Sequence, residues 1–471
     1  MKSQRAFISI LTVLVGTLLV PSATLGVDGD YPTHAIEAPS VRTYPAREKT
    51  IQRWIDTVNL RMIRAHGWDV WESITRPSGE AEYPIWETWN SGHEIFEMGP
   101  ERVAKDTRRV RTHGFELPTQ FVHAHQARLD ARTKPREDAP ERVLSFNRYS
   151  PSLARTIWER RLNLAATLNA TNALFNTSKT RVIDRAISTS KGVVDAHSIS
   201  LKPVFQFIDG TKPSVIPYWA GISPQTTTNL LNPEPHSWRQ AVVVDPTGKL
   251  QPGTVQHVTV NGESHVEARV VSLKEFYSVR INQAEVTHFT QFGAASGDDL
   301  GRKVLGDTNS IAAMVREGNI ALLVAMHVTT KEITNWTWQS FYWTPRTDDP
   351  LVGADRPRSI RAPWSHYNQV TAYFMTPKND PKGQPWVAFN PYLETDLAGT
   401  AKMPGGVQVA WTGVDSNCMS CHRMAAWKPK PDGSGHLTPG YVPNGFVDPA
   451  SPFFFEGYTK LDFLWSLTRA H

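Results

Sequence analysis

The sequence predicts an α+β protein in three stretches: an N-terminal helical region, a central antiparallel β-rich domain, and a C-terminal segment holding both cysteines. Three observations predict it. Helical spacing of apolar residues marks residues 27–195 and returns only near the C-terminus. From about residue 196, short β-branched and aromatic runs alternate with Pro, Gly and Asn breaks. Proline is frequent throughout (34 residues), which disfavours a helical bundle. With 40% hydrophobic and 20% charged residues in 471, the chain can bury a core and is not of the disordered class.

Residues 1–26 read as an export signal. Lys2 and Arg5 precede an apolar run from Ala6 to Val20, and small residues follow through Gly26. The mature chain is expected to begin near Val27, in the periplasm or outside the cell. Losing Lys2 and Arg5 lowers the formal charge from +5 to +3. No later segment reaches transmembrane length. No Lys/Arg tract interleaved with aromatics supports nucleic-acid binding, and Arg108-Arg109-Val110-Arg111 reads as a solvated face.

Residues 27–195 form the helical and loop region. Ile51, Trp54, Ile55, Val58, Met62 and Ala65 keep helical spacing, so a helix is expected over 51–66 and closed by Gly67. A second starts at Ser150-Pro151, a capping residue followed by proline at the first helical position, with Ala154, Ile157, Trp158, Ala165 and Leu168 on its apolar face. In the β-rich domain, 196–395, Asn261-Gly262 marks a hairpin between Val258 and Glu263. Ala241–Val244, Val270–Ile281, Ile320–Thr330, Trp336–Trp343 and Val370–Met375 read as further strands. Residues 396–471 put the cysteines on a short helix and end in a packing helix over Tyr458–Arg469.

The only two cysteines lie three apart with histidine next: Asn417-Cys418-Met419-Ser420-Cys421-His422. On one helical turn these three side chains share a face. The pattern is that of one covalent haem c, with Cys418 and Cys421 joined to the ring and His422 as proximal iron ligand. A thioredoxin-like pair would need a βαβ setting that is absent. Zinc would need four ligands, with His422 and His436 filling out the set, although a histidine adjacent to Cys421 is poorly placed to share its metal. A plain disulfide would leave His422 unexplained.

The second axial position decides the chemistry. Small cytochromes c take a methionine well downstream of the attachment motif. Here the one methionine after His422 is Met424, too near to reach the far side of the ring. Met403, in a Lys-Met-Pro-Gly-Gly loop, is the nearest substitute. His66, His327 and His436 are the histidines weighed beside it, each read individually as structural or surface.

The C-terminal half resembles a group of large exported bacterial monohaem proteins of the cytochrome c family. The resemblance is carried by His327-Val328-Thr329-Thr330-Lys331-Glu332-Ile333, Trp336-Thr337-Trp338, Asn390-Pro391-Tyr392-Leu393-Glu394, Ser416 through His422, and Asp462-Phe463-Leu464-Trp465-Ser466. His66-Gly67-Trp68 and Trp86-Glu87-Thr88-Trp89 are similar to its N-terminal portion. The resemblance implies haem binding and electron transfer and names no substrate. The Trp336 and Trp338 pair is expected on one face of a strand, with Phe341 and Trp343 on the other, as core packing. The expected function is a periplasmic monohaem c-type cytochrome passing single electrons to a redox partner protein or small-molecule donor or acceptor. It is expected to be a carrier and not a catalyst. The alternative is a haem c enzyme with an open distal site, peroxidase- or oxygenase-like, or a haem-based ligand sensor. No hydrolase, zinc-protease or nucleotide-binding motif is present.

Overall fold

The computed structural model describes residues 35–79, 83–105, 113–117, 143–189, 195–221, 238–293, 314–376, 386–394, 399–402, 408–411, 416–431 and 445–471. The expected export signal, the Arg108–Arg111 cluster, Met403 and His436 lie outside them.

In chain order the strands begin with β1 (Asn90–Ser91), β2 (Val143–Ser145), β3 (Arg148–Tyr149), β4 (Asp195–Ile208), β5 (Ser214–Tyr218), β6 (Gln240–Val244), β7 (Val255–Val260) and β8 (Glu263–Val271). They continue with β9 (Ser278–Arg280), β10 (Ile320–Lys331), β11 (Thr337–Trp343), β12 (Tyr367–Thr371), β13 (Gly399–Lys402), β14 (Gln408–Trp411), β15 (Ala426–Trp427) and β16 (Thr459–Lys460). The fold is mixed helix and sheet, with several antiparallel sheets.

The largest sheet has eight strands in the order β1-β3-β4-β10-β11-β12, with β2 beside β4 and β9 beside β10. Its pairings are antiparallel. It draws β1 to β3 from the region that reads in sequence as helix and loop. A four-stranded sheet, β5-β6-β8-β7, departs from the antiparallel expectation at one step, because β6 and β8 run parallel. The β7–β8 hairpin inserts its second strand beside β6, so chain direction repeats there.

Strand β10 is an almost unbroken apolar run because both its faces are covered. On one face lies the Leu60–Thr75 helix, where Trp71 stacks on Phe341 with ring centroids 4.1 Å apart. On the other lie Trp336, Trp338 and the C-terminal segment, in one cluster with Leu153, Ile157, Trp427, Leu464 and Trp465. A bulge between Leu323 and Ala325 reverses the parity of β10. Ala321 and Leu323 pair with Phe207 and Phe205, whereas Ala325 and His327 pair with Val204 and Lys202. In β4 those two sets point to opposite faces. His327 also pairs with Ser340, and Thr329 with Trp338, so Lys202, His327, Ser340 and Trp338 emerge on one side.

Several expected elements are present with different bounds. The helix expected over 51–66 is two helices, Glu48–Asp56 and Leu60–Thr75. Val58 breaks them with a φ of 48°, and the Asn59 side chain caps the second. Gly67 does not end a helix; it lies inside one, where an added Cβ would stand 2.2 Å from Gln369 Nε2, so close approach to the sheet explains it. The Ser150-Pro151 start is as expected, but that helix stops at Glu159 and Ala165 and Leu168 belong to the next, Ala165–Thr177. The Asn261-Gly262 hairpin forms, with positive φ at both residues. The run Val270–Ile281 is interrupted by a Ser272–Glu275 capping box. Tyr458–Arg469 is not one packing helix. It supplies β16, two successive residues of positive φ (Asp462 and Phe463) and a 3₁₀ turn at Trp465–Arg469. Among the described residues no helix is long and apolar enough to cross a membrane.

Candidate metal centre

The Cys418–Arg423 helix is far too short to be stable alone. It is fixed by its surroundings. Asn417, fully buried, accepts from the backbone N–H groups of Met419 (2.9 Å) and Ser420 (3.2 Å) and donates to the carbonyls of Phe374 and Trp386. Ser420 Oγ donates to the Gly445 carbonyl at 2.7 Å, and Trp465 Nε1 to the Cys421 carbonyl at 3.1 Å. The sequence expectation of a short helix carrying the cysteines and His422 is met.

Cys418 and Cys421 are not joined in a disulfide. His422 Nδ1–H donates to the Phe463 carbonyl at 2.8 Å, which leaves the Nε2 lone pair for a metal. Burial pushes the His422 pKa down to about 3, against the pull of that carbonyl and with His327 and Lys202 adding to the fall. The ring is therefore neutral, the form that ligates. The Trp338 indole lies against it, centroids 4.3 Å apart at 41°.

The Phe463 carbonyl is aimed by left-handed backbone at Asp462 (φ 50°) and Phe463 (φ 68°). Asp462 holds that turn through its carboxylate. Oδ1 takes Lys331 Nζ at 2.5 Å, while Oδ2 accepts the Thr189 N–H at 2.8 Å and hydroxyl at 2.6 Å. Lys331, Asp462, Phe463 and Trp465 thus orient the helix and His422.

Beside the cysteines stands a polar group the sequence did not reveal. His327 Nε2 and Glu394 Oε1 are 2.6 Å apart. Glu394 Oε2 accepts the Asn390 N–H at 2.5 Å, and Asn390 Nδ2 donates to Ser340 Oγ at 2.7 Å and to the Phe341 carbonyl at 3.0 Å. One donor atom each of His327, Glu394 and Cys418 lie within 4.8 Å of one another. Burial pushes Lys202 down to about 8, against the attraction of Glu394 and Cys421. Burial also pushes the Cys418 thiol well up, with Glu394 and Cys421 adding to the rise.

Cys418, Cys421, His422, His327 and Lys202 are all half-buried. Side chains that are desolvated yet keep accessible surface line a recess; they do not fill a core. The other weighed histidine is elsewhere: His66 is fully buried, with Nδ1 2.5 Å from the Tyr373 hydroxyl and Nε2 3.0 Å from Glu332 Oε1. Periodicity could not have found Lys202 or Glu394, because the bulge and the Asn390–Glu394 turn place them.

The donor set tests which group belongs here. Zinc held by His327, Glu394 and Cys418 would leave Cys421 and His422 without a role. Haem c needs two thiols and a neutral imidazole on one helical face beside a recess, and these residues fit it. Comparison with protein families, curated proteins and solved structures finds none that matches this chain.

Proposed function

We propose that this chain is a periplasmic monohaem c-type cytochrome that accepts and passes single electrons. The observation that carries the reading is His422: neutral, held at Nδ1 by the Phe463 carbonyl, and set on the same short helix as Cys418 and Cys421. Each thiol would add across one vinyl group of the ring. A carbon–sulfur bond forms and the thiol hydrogen ends on the vinyl carbon, so no oxidant is consumed. The bound group supplies a metal that changes oxidation state by one electron. Trp338 packs against the His422 ring.

A second reading draws on the polar side chains beside Cys418. A haem c enzyme or ligand sensor with an open distal site would use Lys202 as a donor to a bound small molecule, with His327 and Glu394 as acceptors beside it.

The test is expression of the full chain in a bacterial host that attaches haem c. The expected product keeps one haem through denaturation, loses it in the Cys418→Ser/Cys421→Ser variant, and shows one reversible one-electron wave. Protein that carries zinc and no covalent haem would overturn the proposal. Rapid carbon monoxide binding by the reduced protein would overturn electron transfer in favour of the second reading.

A further inference from the structure

We infer that His327, oriented by Glu394, is the second axial ligand, opposite His422; the inference rests on the haem c reading above. Sheet geometry supplies the first argument. The bulge before Ala325 brings His327 onto the face that carries Trp338, and Trp338 packs on His422. Both imidazoles therefore border the same recess. One ring nitrogen of His327 and Cys418 Sγ lie within 4.8 Å, so a ring tethered through Cys418 would lie next to the His327 imidazole.

The second argument is the proton on the imidazole. In a neutral imidazole the 2.6 Å contact to the Glu394 carboxylate assigns the hydrogen to Nε2, which leaves the lone pair on Nδ1. Nδ1 is buried and has no hydrogen-bond partner. A histidine whose one nitrogen is fixed by a carboxylate while the other keeps an unused, buried lone pair is built as metal ligands are built. His66 provides the contrast, since Tyr373 and Glu332 occupy both its nitrogens. Glu394 is itself immobilised by Asn390, which is tied to β11 through Ser340 and Phe341. The Asn390–Glu394 segment is thus a device for holding one carboxylate behind one imidazole. Glu394 is a positioning residue.

The experiment uses the full-length haem-loaded protein and reads optical and electron paramagnetic resonance spectra. Wild type is expected to be low-spin in both oxidation states, with a bis-imidazole signal, no methionine-to-iron charge-transfer band, and no carbon monoxide binding when reduced. His327→Ala is expected to keep covalent haem, become high-spin, bind carbon monoxide stoichiometrically, and return to low-spin on adding imidazole. His327→Met, which keeps bulk and offers a thioether, should gain the methionine band and a higher reduction potential. Glu394→Gln should stay low-spin with an altered signal and potential, and Glu394→Asp should move partway back. A low-spin His327→Ala protein that ignores carbon monoxide, or a methionine band in wild type, overturns the assignment. Absence of covalent haem in wild type is the separate result that brings down the underlying reading.

Discussion

Replacing Asp462 by alanine should destabilise the protein and alter His422 without touching it. Asp462 is the acidic partner of Lys331, whose side chain is 2% exposed. Removing one partner of a buried ion pair leaves the other charge unpaired and costs about 3–5 kcal/mol. Alanine in a left-handed conformation adds about 1–2 kcal/mol, because aspartate tolerates that region through local hydrogen bonding and alanine does not. The expected loss is therefore about 4–7 kcal/mol in urea unfolding of the purified protein. Asp462→Asn keeps the conformational tolerance and an acceptor for Thr189, so it should lose about 3 kcal/mol. Combining Asp462→Asn with Lys331→Met removes both charges and should return to within about 1–2 kcal/mol of wild type. The turn also aims the Phe463 carbonyl at His422 Nδ1–H, so Asp462→Ala should raise the reduction potential, because that hydrogen bond increases imidazole basicity. An Asp462→Ala protein within about 1 kcal/mol of wild type and with an unchanged potential would refute the reasoning.

Three further outcomes are expected. Trp338→Ala, at a site 3% exposed and packed on His422, should cost about 3–5 kcal/mol by thermal or urea unfolding and broaden the resonances of the His422 imidazole. Asn417→Ala removes the cap of the Cys418–Arg423 helix and leaves the Phe374 and Trp386 carbonyls without their donor; a loss of about 2–4 kcal/mol and a lower yield of haem-bearing protein are expected. Glu72 has its pKa lowered because hydrogen bonds from Ser359 and Arg42 outweigh its burial. The stability it contributes is fully present above its ordinary value of 4.5 and is lost as the pH falls below that through the lowered value. Glu72→Gln should therefore be less stable than wild type at pH 7, and its stability should fall less steeply with acid in urea titrations taken below 4.5.

The residues of the proposed haem site are more legible in sequence than the residues that aim them. Cys418, Cys421 and His422 are recognisable from spacing alone, since one turn of helix decides their common face. The hairpin at Asn261-Gly262 and the cap at Ser150-Pro151 are equally local, and both form. The helix over 51–66 fails at Val58 because a positive φ at a β-branched residue has no local signal; tertiary packing imposes it. Gly67 reads as a helix end, whereas its missing side chain makes room for Gln369 on another element. The same holds at the metal centre. The Phe463 carbonyl reaches His422 from 41 positions away, and Glu394 lies 67 positions from its partner His327. Neither distance along the chain leaves a periodic trace.

The bulge in β10 makes strand register a chemical variable. Val324 is the extra residue, and because it stands unpaired Ala325 meets Val204 and His327 meets Lys202. Were Val324 paired in regular succession, His327 would stand opposite Leu201 on the helix-packed side of the sheet, and Met326 would take its place opposite Lys202. Removing Val324 would straighten the strand and leave His327 where it is. What gives this recess an imidazole in place of a thioether is thus whether one residue is counted into the ladder or left out of it.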